Sequence, residues 1–348
     1  MKQDLRTIVK ALPDHLFTVH DGNAEMRWEA MAGQGYHTPT DRFFVRNHTA
    51  TPVIDLDTWR LRVHGPGVRH PASYDYGDLL AMPARTLDAA IECAGNGRRF
   101  YDVQQHDPAP GTQWGLGAIG VARWRGVPLR YLLARSGVTG DAVDVLPTGL
   151  DAEFEHHGHV RRPLPVAKAM DDVLVAYEMN GRALPADHGF PVRLVVPGWV
   201  GVASIKWLGD IQVSREKLFT PWNTVFYPDV TTQPVKSAFE LEWNAVLPMG
   251  APLMLRGRSW SGRGRIVRVE VSFDRGRSWR RAEHHGQHLV SAWLPWHVEW
   301  APTYPGPRVL MARATDETGA TQHLVIPKHP FGYHFDAVVQ HPIQVVHG

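Results

Sequence analysis

The chain has 348 residues, long enough for two domains that each bury a core. Hydrophobic residues make up 43% and charged residues 21%, the balance of a folded rather than a disordered chain. A formal net charge of +2 gives no electrostatic argument for nucleic acid, the single Cys93 excludes an intrachain disulfide or a cysteine-built zinc site, and no apolar run reaches the roughly 18 residues that span a membrane.

Residues 1–17 interleave charges with every short apolar run and carry no leader signature. The chain therefore reads as cytoplasmic as written, or as periplasmic if a leader has been removed or a partner carries one. Residues 8–16 and 23–31 (NAEMRWEAM) read as short helices, the second capped by Asn23. Residues 40–47 (TDRFFVRN) read as an extended segment or loop. Alternating residues 59–64 (WRLRVH) predict a strand, residues 76–82 a short helix, and residues 86–92 a strand that runs into the glycine-rich loop 93–99 (CAGNGRR). Residues 111–126 read as loop, and residues 129–135 as a helix ending at Gly137. Strands are expected at 191–196, 202–207 and 211–213, with a loop (PGWVG) at 197–201. Strands and short helices mix without βα alternation, which predicts an α+β domain over residues 1–228.

Residues 229–237 are polar with a proline and suit a linker. Residues 238–348 are almost all strand. In 266–273 (IVRVEVSF), Val267, Val269, Val271 and Phe273 are expected on one face and Arg268, Glu270 and Ser272 on the other. Further runs at 289–300 and 308–314 give strands at about 10-residue spacing, the pattern of an all-β immunoglobulin-like sandwich.

Three clusters carry candidate chemistry. Cys93 lies where a strand meets a loop, with Gly95 and Gly97 close by and Arg98 and Arg99 following. Cationic neighbours favour a thiolate, the form that binds soft metals or attacks electrophiles; a buried core cysteine is the alternative. Arg46, Asn47 and His48 offer a guanidinium fork beside amide and imidazole groups, in a segment that equally suits a solvated loop. Asp187, His188, Gly189 and Arg193, followed by Gly198, Gly201, Ser204 and Lys206, form either an anion cradle or an ordinary turn between strands. His156, His157 and His159 (EHHGH) lack metal-ligand spacing and read as an exposed loop. The chain has no G-x-S-x-G, no Walker loop and no C-x-x-C-H.

The order and wording of the segments say more than each cluster. Residues 43–48 (FFVRNH), 93–98 (CAGNGR), 118–124 (AIGVARW), 176–193 (AYEMNGRALPADHGFPVR) and 196–208 (VPGWVGVASIKWL) resemble the sulfite oxidase family of molybdenum enzymes. Residues 259–279 (SWSGRGRIVRVEVSFDRGRSW) resemble its C-terminal dimerisation domain. The resemblance implies an α+β catalytic domain that binds molybdopterin, followed by an immunoglobulin-like domain that pairs two subunits. It implies that Cys93 donates its thiolate to molybdenum. It assigns pterin contacts to Phe44, Arg46, Asn47, His48, His188, Arg193, Gly201, Ser204, Ile205, Lys206 and Leu208, with Arg162 as a further basic contact. Arg46, Arg98 and Trp114 would form a cationic, aromatic-walled pocket for a small anion.

The implied activity is oxidation of sulfite to sulfate by oxygen-atom transfer. Two alternatives accompany it: nitrate or S-/N-oxide reduction at the same site, or pterin and anion binding without turnover. Two positions depart from the family pattern. The family's tyrosine before the linker falls near Asn223, with Tyr227 close enough to take its place. Phe331 falls where animal and plant sulfite oxidases bring an arginine. Gly97 follows the bacterial branch. No haem domain is seen, so electrons would leave to a separate acceptor, a cytochrome or oxygen.

Overall fold

The computed structural model describes residues 8–347. The first seven residues of the segment read for a leader lie outside the described residues. No helix among the described residues is long and apolar enough to cross a membrane.

The first part is an α+β assembly of two five-stranded sheets. In one, Arg85–Glu92 pairs antiparallel with Ile119–Pro128, which pairs with Leu174–Met179; Arg182–Ala183 and Arg193–Val195 flank the last. In the other, the order is Ala72–Tyr74, Leu61–His64, Leu208–Ser214, Asp144–Gly149, Leu164–Pro165. Its strands Leu61–His64 and Leu208–Ser214 run parallel. Helices are short: Tyr76–Ala81, Leu129–Arg135 and Val166–Asp171 pack around this sheet. The core between these elements holds Leu61, Val63, Leu129, Leu132, Leu133, Leu194 and Ile211, all fully buried. A helix as short as Tyr76–Ala81 is marginal by propensity. It is fixed by a capping box, in which Asp75 accepts from the Asp78 amide and Asp78 accepts from the Asp75 amide.

The second part is a β-sandwich. One sheet orders Lys236–Phe239, Leu253–Trp260, Trp293–Trp300 and Glu283–His284. The other orders Ala245–Pro248, Gln340–Val346, Gly306–Asp316, Ile266–Ser272 and Arg280–Arg281. Phe239, Val269, Val271, Trp296, Leu310 and Val345 fill the space between them. A third apolar cluster joins the two parts: Trp28, Met31, Ile119 and Val121 pack with Trp260, Trp293 and Phe335. Trp28 Nε1 donates to the Phe239 carbonyl at 2.8 Å across this seam.

Several local expectations fail. Residues 8–16 contain turns and no helix. Residues 23–31 are a strand, Asn23–Met26, followed by a 3-10 turn, Trp28–Met31. Asn23 pairs with His20 in a hairpin, so cross-strand pairing overrides the capping signal. The loop expected over 111–126 ends at Ile119, where a strand ten residues long begins. Its glycines allow close approach inside a sheet rather than marking a turn. Residues 202–207 are not a strand: a 3-10 turn, Gly201–Ala203, leads through irregular backbone to Leu208–Ser214. In Ile266–Ser272 the register shifts between Ile266 and Arg268. That irregularity turns Val267 outward, to 44% exposure, while Val269 and Val271 stay buried.

Gly126 shows how tightly the first sheet is built. A Cβ there would strike the Val175 carbonyl oxygen and sit 2.5 Å from the Ala176 Cα, both backbone. Gly126→Ala is expected to destabilise the chain by about 1–3 kcal/mol, as overpacking does. Chemical denaturation checks this, with Gly35→Ala as the control, since a Cβ at Gly35 meets nothing within 4 Å.

Candidate active site

A cavity of about 80 Å³ opens where the first sheet, the 43–48 segment and the 187–207 segment meet. Cys93, one residue beyond the strand Arg85–Glu92, lies on its wall with 9% exposure. Its backbone is held on both sides: the amide donates to the Ala118 carbonyl at 2.9 Å, and the carbonyl accepts from the Asn96 amide at 2.9 Å.

The cavity is rimmed by cations. Arg46, Arg193 and Lys206 line it, with His48 and His188 between them. Each is placed by backbone groups. Arg193 Nη1 donates to the His188 carbonyl and Nη2 to the Ser204 carbonyl, both at 3.0 Å. Its guanidinium also sits 5.1 Å from the Trp124 ring centre. Lys206 Nζ donates to the Asp187 carbonyl at 2.8 Å and to Asn47 Oδ1. Arg46 Nη1 donates to the Asn47 carbonyl. Ser204 Oγ accepts from the Val196 amide at 3.1 Å. Phe43 and Phe44 stack at 5.5 Å, and Phe43 meets His188 edge-on at 5.5 Å.

Burial pushes the Lys206 ammonium well below its ordinary range, and Arg193 adds to the push. Burial likewise drives His188 far down, helped by Lys10, Lys206 and Arg193. His48 is lowered by burial, then by Arg46 and Lys206, so both imidazoles are neutral at pH 7. Against these stand Asp151 and Asp187. Asp187 is occupied: Thr51 Oγ1 donates to it at 2.6 Å, and the amides of Val9 and Lys10 donate at 2.7–3.0 Å. Among the described residues, His188 Nε2 is buried with no hydrogen-bond partner. Positive charge crowded in a low-dielectric cavity calls for an anion.

At one end of the cavity sits Tyr227. His48 Nε2 lies 3.3 Å from its hydroxyl, and Tyr333 stacks on its ring at 5.0 Å and 15°. Burial raises the Tyr227 hydroxyl above its ordinary value, so it keeps its proton. Arg98 lies beside this pair, its guanidinium 5.1 Å from the Tyr333 ring centre. It donates to the Phe331 carbonyl at 3.1 Å and to the Thr112 carbonyl at 2.8 Å. Gly95 leaves the room it needs: a Cβ there would lie 2.7 Å from Arg98 Nη2.

Of the residues singled out from sequence, Phe44, Arg46, Asn47, His48, Cys93, His188, Arg193, Gly201, Ser204, Ile205, Lys206 and Tyr227 line the cavity. Four do not. Leu208 is fully buried in the core, where its carbonyl accepts from Trp59 Nε1 at 3.2 Å. Trp114 is buried in the same apolar cluster as Cys93 and Phe44, and meets His20 edge-on at 5.1 Å. Arg98 stands behind Tyr333 as described. Arg162 ties the Trp222 carbonyl (3.3 Å) to the Val230 carbonyl (2.6 Å), gripping both ends of the segment that carries Tyr227.

Asn223 is a capping residue: its Oδ1 accepts from the Thr220 amide at 2.8 Å at the start of Pro221–Thr224. Phe331 points outward, 39% exposed, and it is Tyr333 that reaches Tyr227. Val202 and Trp207, within the 196–208 segment, also line the cavity, and sequence reasoning passed over Asp151 and Val160, which line it too. No spacing marks them, because they arrive from loops whose paths only the fold sets.

Comparison with known proteins fits this geometry. Residues 48–222 match the model of the oxidoreductase molybdopterin binding domain, and residues 230–328 that of the Mo-co oxidoreductase dimerisation domain. The chain belongs to the sulfite oxidase family of molybdopterin-dependent oxidoreductases. It is 37% identical over 301 residues to the mitochondrial sulfite oxidase of Rattus norvegicus, covering 79% of this chain and 54% of that one. It is 30% identical over 359 residues to the NADH nitrate reductase of Ulva prolifera, covering 88% and 40%. The chain thus spans about half the length of the mitochondrial sulfite oxidases it matches. Among solved structures, the sulfane dehydrogenase SoxCD from Paracoccus pantotrophus superposes with a TM-score of 0.81 at 31% identity, covering 91% of this chain and 82% of that one.

Molybdopterin fits the residues present. Its phosphate suits the desolvated cations, and a redox metal that takes sulfur ligands suits the one thiol on the wall. The unpartnered His188 Nε2 can take up a polar group of the pterin.

Asp151 gives a pH test in the cofactor-free chain. Burial, its largest influence, lifts its carboxyl to about 6 from an ordinary 3.8. The folded state then holds the proton more tightly than the unfolded one. Stability therefore falls as pH rises from about 4 to about 6 and stays reduced above that. Asp151→Asn is expected to be more stable than the parent at pH 8 by roughly 2–3 kcal/mol, with the gap closing at pH 4. Denaturant titrations at the two pH values check it.

Proposed function

We propose that the chain oxidises sulfite to sulfate by oxygen-atom transfer at molybdenum ligated by the Cys93 thiolate and the pterin. The observation that carries this reading is the placement of the chain's single thiol on the wall of a cavity rimmed by buried cations. When bound, molybdopterin supplies a metal that changes oxidation state by two electrons and exchanges an oxygen atom with substrate.

The chain's own residues bind and orient. Lys206, Arg193, Asn47 and Ser204 hold the pterin and its phosphate, with Phe44, Ile205 and Gly201 shaping the cradle. Neutral His48 and His188 exchange hydrogen bonds with it without adding charge. Arg46 draws a small anion toward Cys93, and Arg98 adds positive charge from beside Tyr333. Tyr227, kept protonated by burial, donates its hydroxyl to a substrate oxygen. Trp114 packs behind Cys93. Arg162 and Leu208 position their neighbours rather than touch the pterin. A separate acceptor, a cytochrome or oxygen, takes the electrons, and residues 238–348 pair two copies of the chain.

A second reading rests on Arg98 and Tyr333. Two of Arg98's donors already serve carbonyls, and the Tyr227–Tyr333 stack puts an aromatic face beside it. Such an end of the cavity suits a larger, less charged sulfur substrate of the sulfane kind. Reduction of nitrate is the remaining rival within the family.

The test is sulfite-dependent reduction of cytochrome c or ferricyanide by the molybdenum-loaded enzyme. Turnover is expected, and Cys93→Ser is expected to lose it while the far-ultraviolet circular dichroism stays unchanged. Full activity in that variant overturns the ligand assignment; turnover only with sulfane donors or nitrate overturns sulfite. Arg46→Met is expected to lower kcat/KM for sulfite about a hundredfold, the loss of about 3 kcal/mol of anion stabilisation. Light scattering is expected to show a dimer at micromolar concentration, and a monomer contradicts the pairing.

A further inference from the structure

A buried ion pair lies directly behind Cys93 and comes from both parts of the molecule. Glu92 ends the strand Arg85–Glu92 and is 1% exposed; Lys236 begins Lys236–Phe239, the first strand of the sandwich, and is 5% exposed. Lys236 Nζ lies 2.8 Å from Glu92 Oε1. The same oxygen accepts from Asn96 Nδ2 at 3.0 Å, and Glu92 Oε2 accepts from Trp260 Nε1 at 3.1 Å. Lys236 also donates to the Asn96 carbonyl at 2.7 Å. Trp260 faces Lys236 across the sandwich sheet, so both groups arrive on one rigid pair of strands.

This network reaches the cysteine through its two backbone partners. Asn96 Oδ1 accepts from the Ala118 amide at 3.1 Å. Ala118 and Asn96 are the residues whose carbonyl and amide grip the Cys93 amide and carbonyl. Every bond in the chain Lys236–Glu92–Asn96–Ala118–Cys93 lies in buried surroundings, where a displaced charge has no water to fall back on.

We propose that Glu92 and Lys236 are a positioning pair that fixes the Cys93 sulfur for metal ligation, making the ligand's geometry depend on the sandwich domain. The proposal rests on Cys93 being the ligand. An apolar residue at 236 would fill the same space without setting the Asn96 carbonyl or the Glu92 carboxylate. Groups that orient a metal ligand from behind typically matter by 10–100-fold in activity or affinity.

The experiment compares Lys236→Met with the parent by two readouts. In the molybdenum-loaded enzyme, the thiolate-to-metal absorption band is expected to shift, and kcat to fall about 10–100-fold with KM unchanged. In the cofactor-free full-length chain, the alkylation rate of its single thiol by iodoacetamide is expected to change several-fold. Should Lys236→Met not fold, Glu92→Gln/Lys236→Met leaves no buried charge unpaired and is expected to fold with the same band shift and altered alkylation rate. A band, kcat and alkylation rate all at parent values in either variant overturn the positioning role, even if thermal stability falls. Cys93→Ser separates the two ideas: if it keeps the band, the ligand assignment itself has failed.

Discussion

The structure depends on gathering positive charge away from water around one sulfur. Arg46, Arg193 and Lys206 line a cavity beside Cys93, and burial disfavours the charge on both Arg193 and Lys206. Such an arrangement is unfavourable by itself, because desolvated like charges repel. It persists because carbonyls of His188, Ser204, Asp187 and Asn47 take the hydrogen bonds and hold the cations facing inward. The carbonyls of Asp187, His188 and Ser204 come from the 3-10 turns Ala186–His188 and Gly201–Ala203 and their ends, on either side of the strand Arg193–Val195. An anionic cofactor converts this stored repulsion into attraction.

The two parts of the molecule are not independent. Trp28, Trp260 and Trp293 seal an apolar seam, and Arg258, paired with Glu240, donates to the Tyr36 carbonyl at 3.2 Å across it. The C-terminal segment returns to the catalytic part. His334 donates its amide to the Ala94 carbonyl at 2.9 Å, which brings Tyr333 against Tyr227. The C-terminal segment therefore supplies one wall near the site.

Much of this was legible in the sequence, for identifiable reasons. A period-two run such as Leu61–His64 announces a strand, because alternate faces meet core and solvent. Cys93, Arg46 and Lys206 stand in segments whose wording repeats a family pattern, so their meeting on one cavity was expected. Other features were invisible. Asn23 looked like a cap, but its pairing with His20 depends on a hairpin that local propensity does not weigh. Val267 turns outward at a register irregularity that alternation cannot foresee. Phe331, which falls where relatives bring an arginine, points outward, while Tyr333, two residues on in an irregular loop, stacks on Tyr227. Asp151 reaches the cavity from a loop with no motif. Local pattern captures residues whose role is set by their own element; it misses those set by where a loop folds back.

The central claim is that Cys93 is a metal ligand rather than a core cysteine. X-ray absorption at the molybdenum edge counts the sulfur neighbours of the metal directly. The Cys93→Ser enzyme, loaded in a host that makes the cofactor, should show one sulfur neighbour fewer than the parent. An unchanged sulfur count in that variant would contradict the assignment and return Cys93 to the packed core.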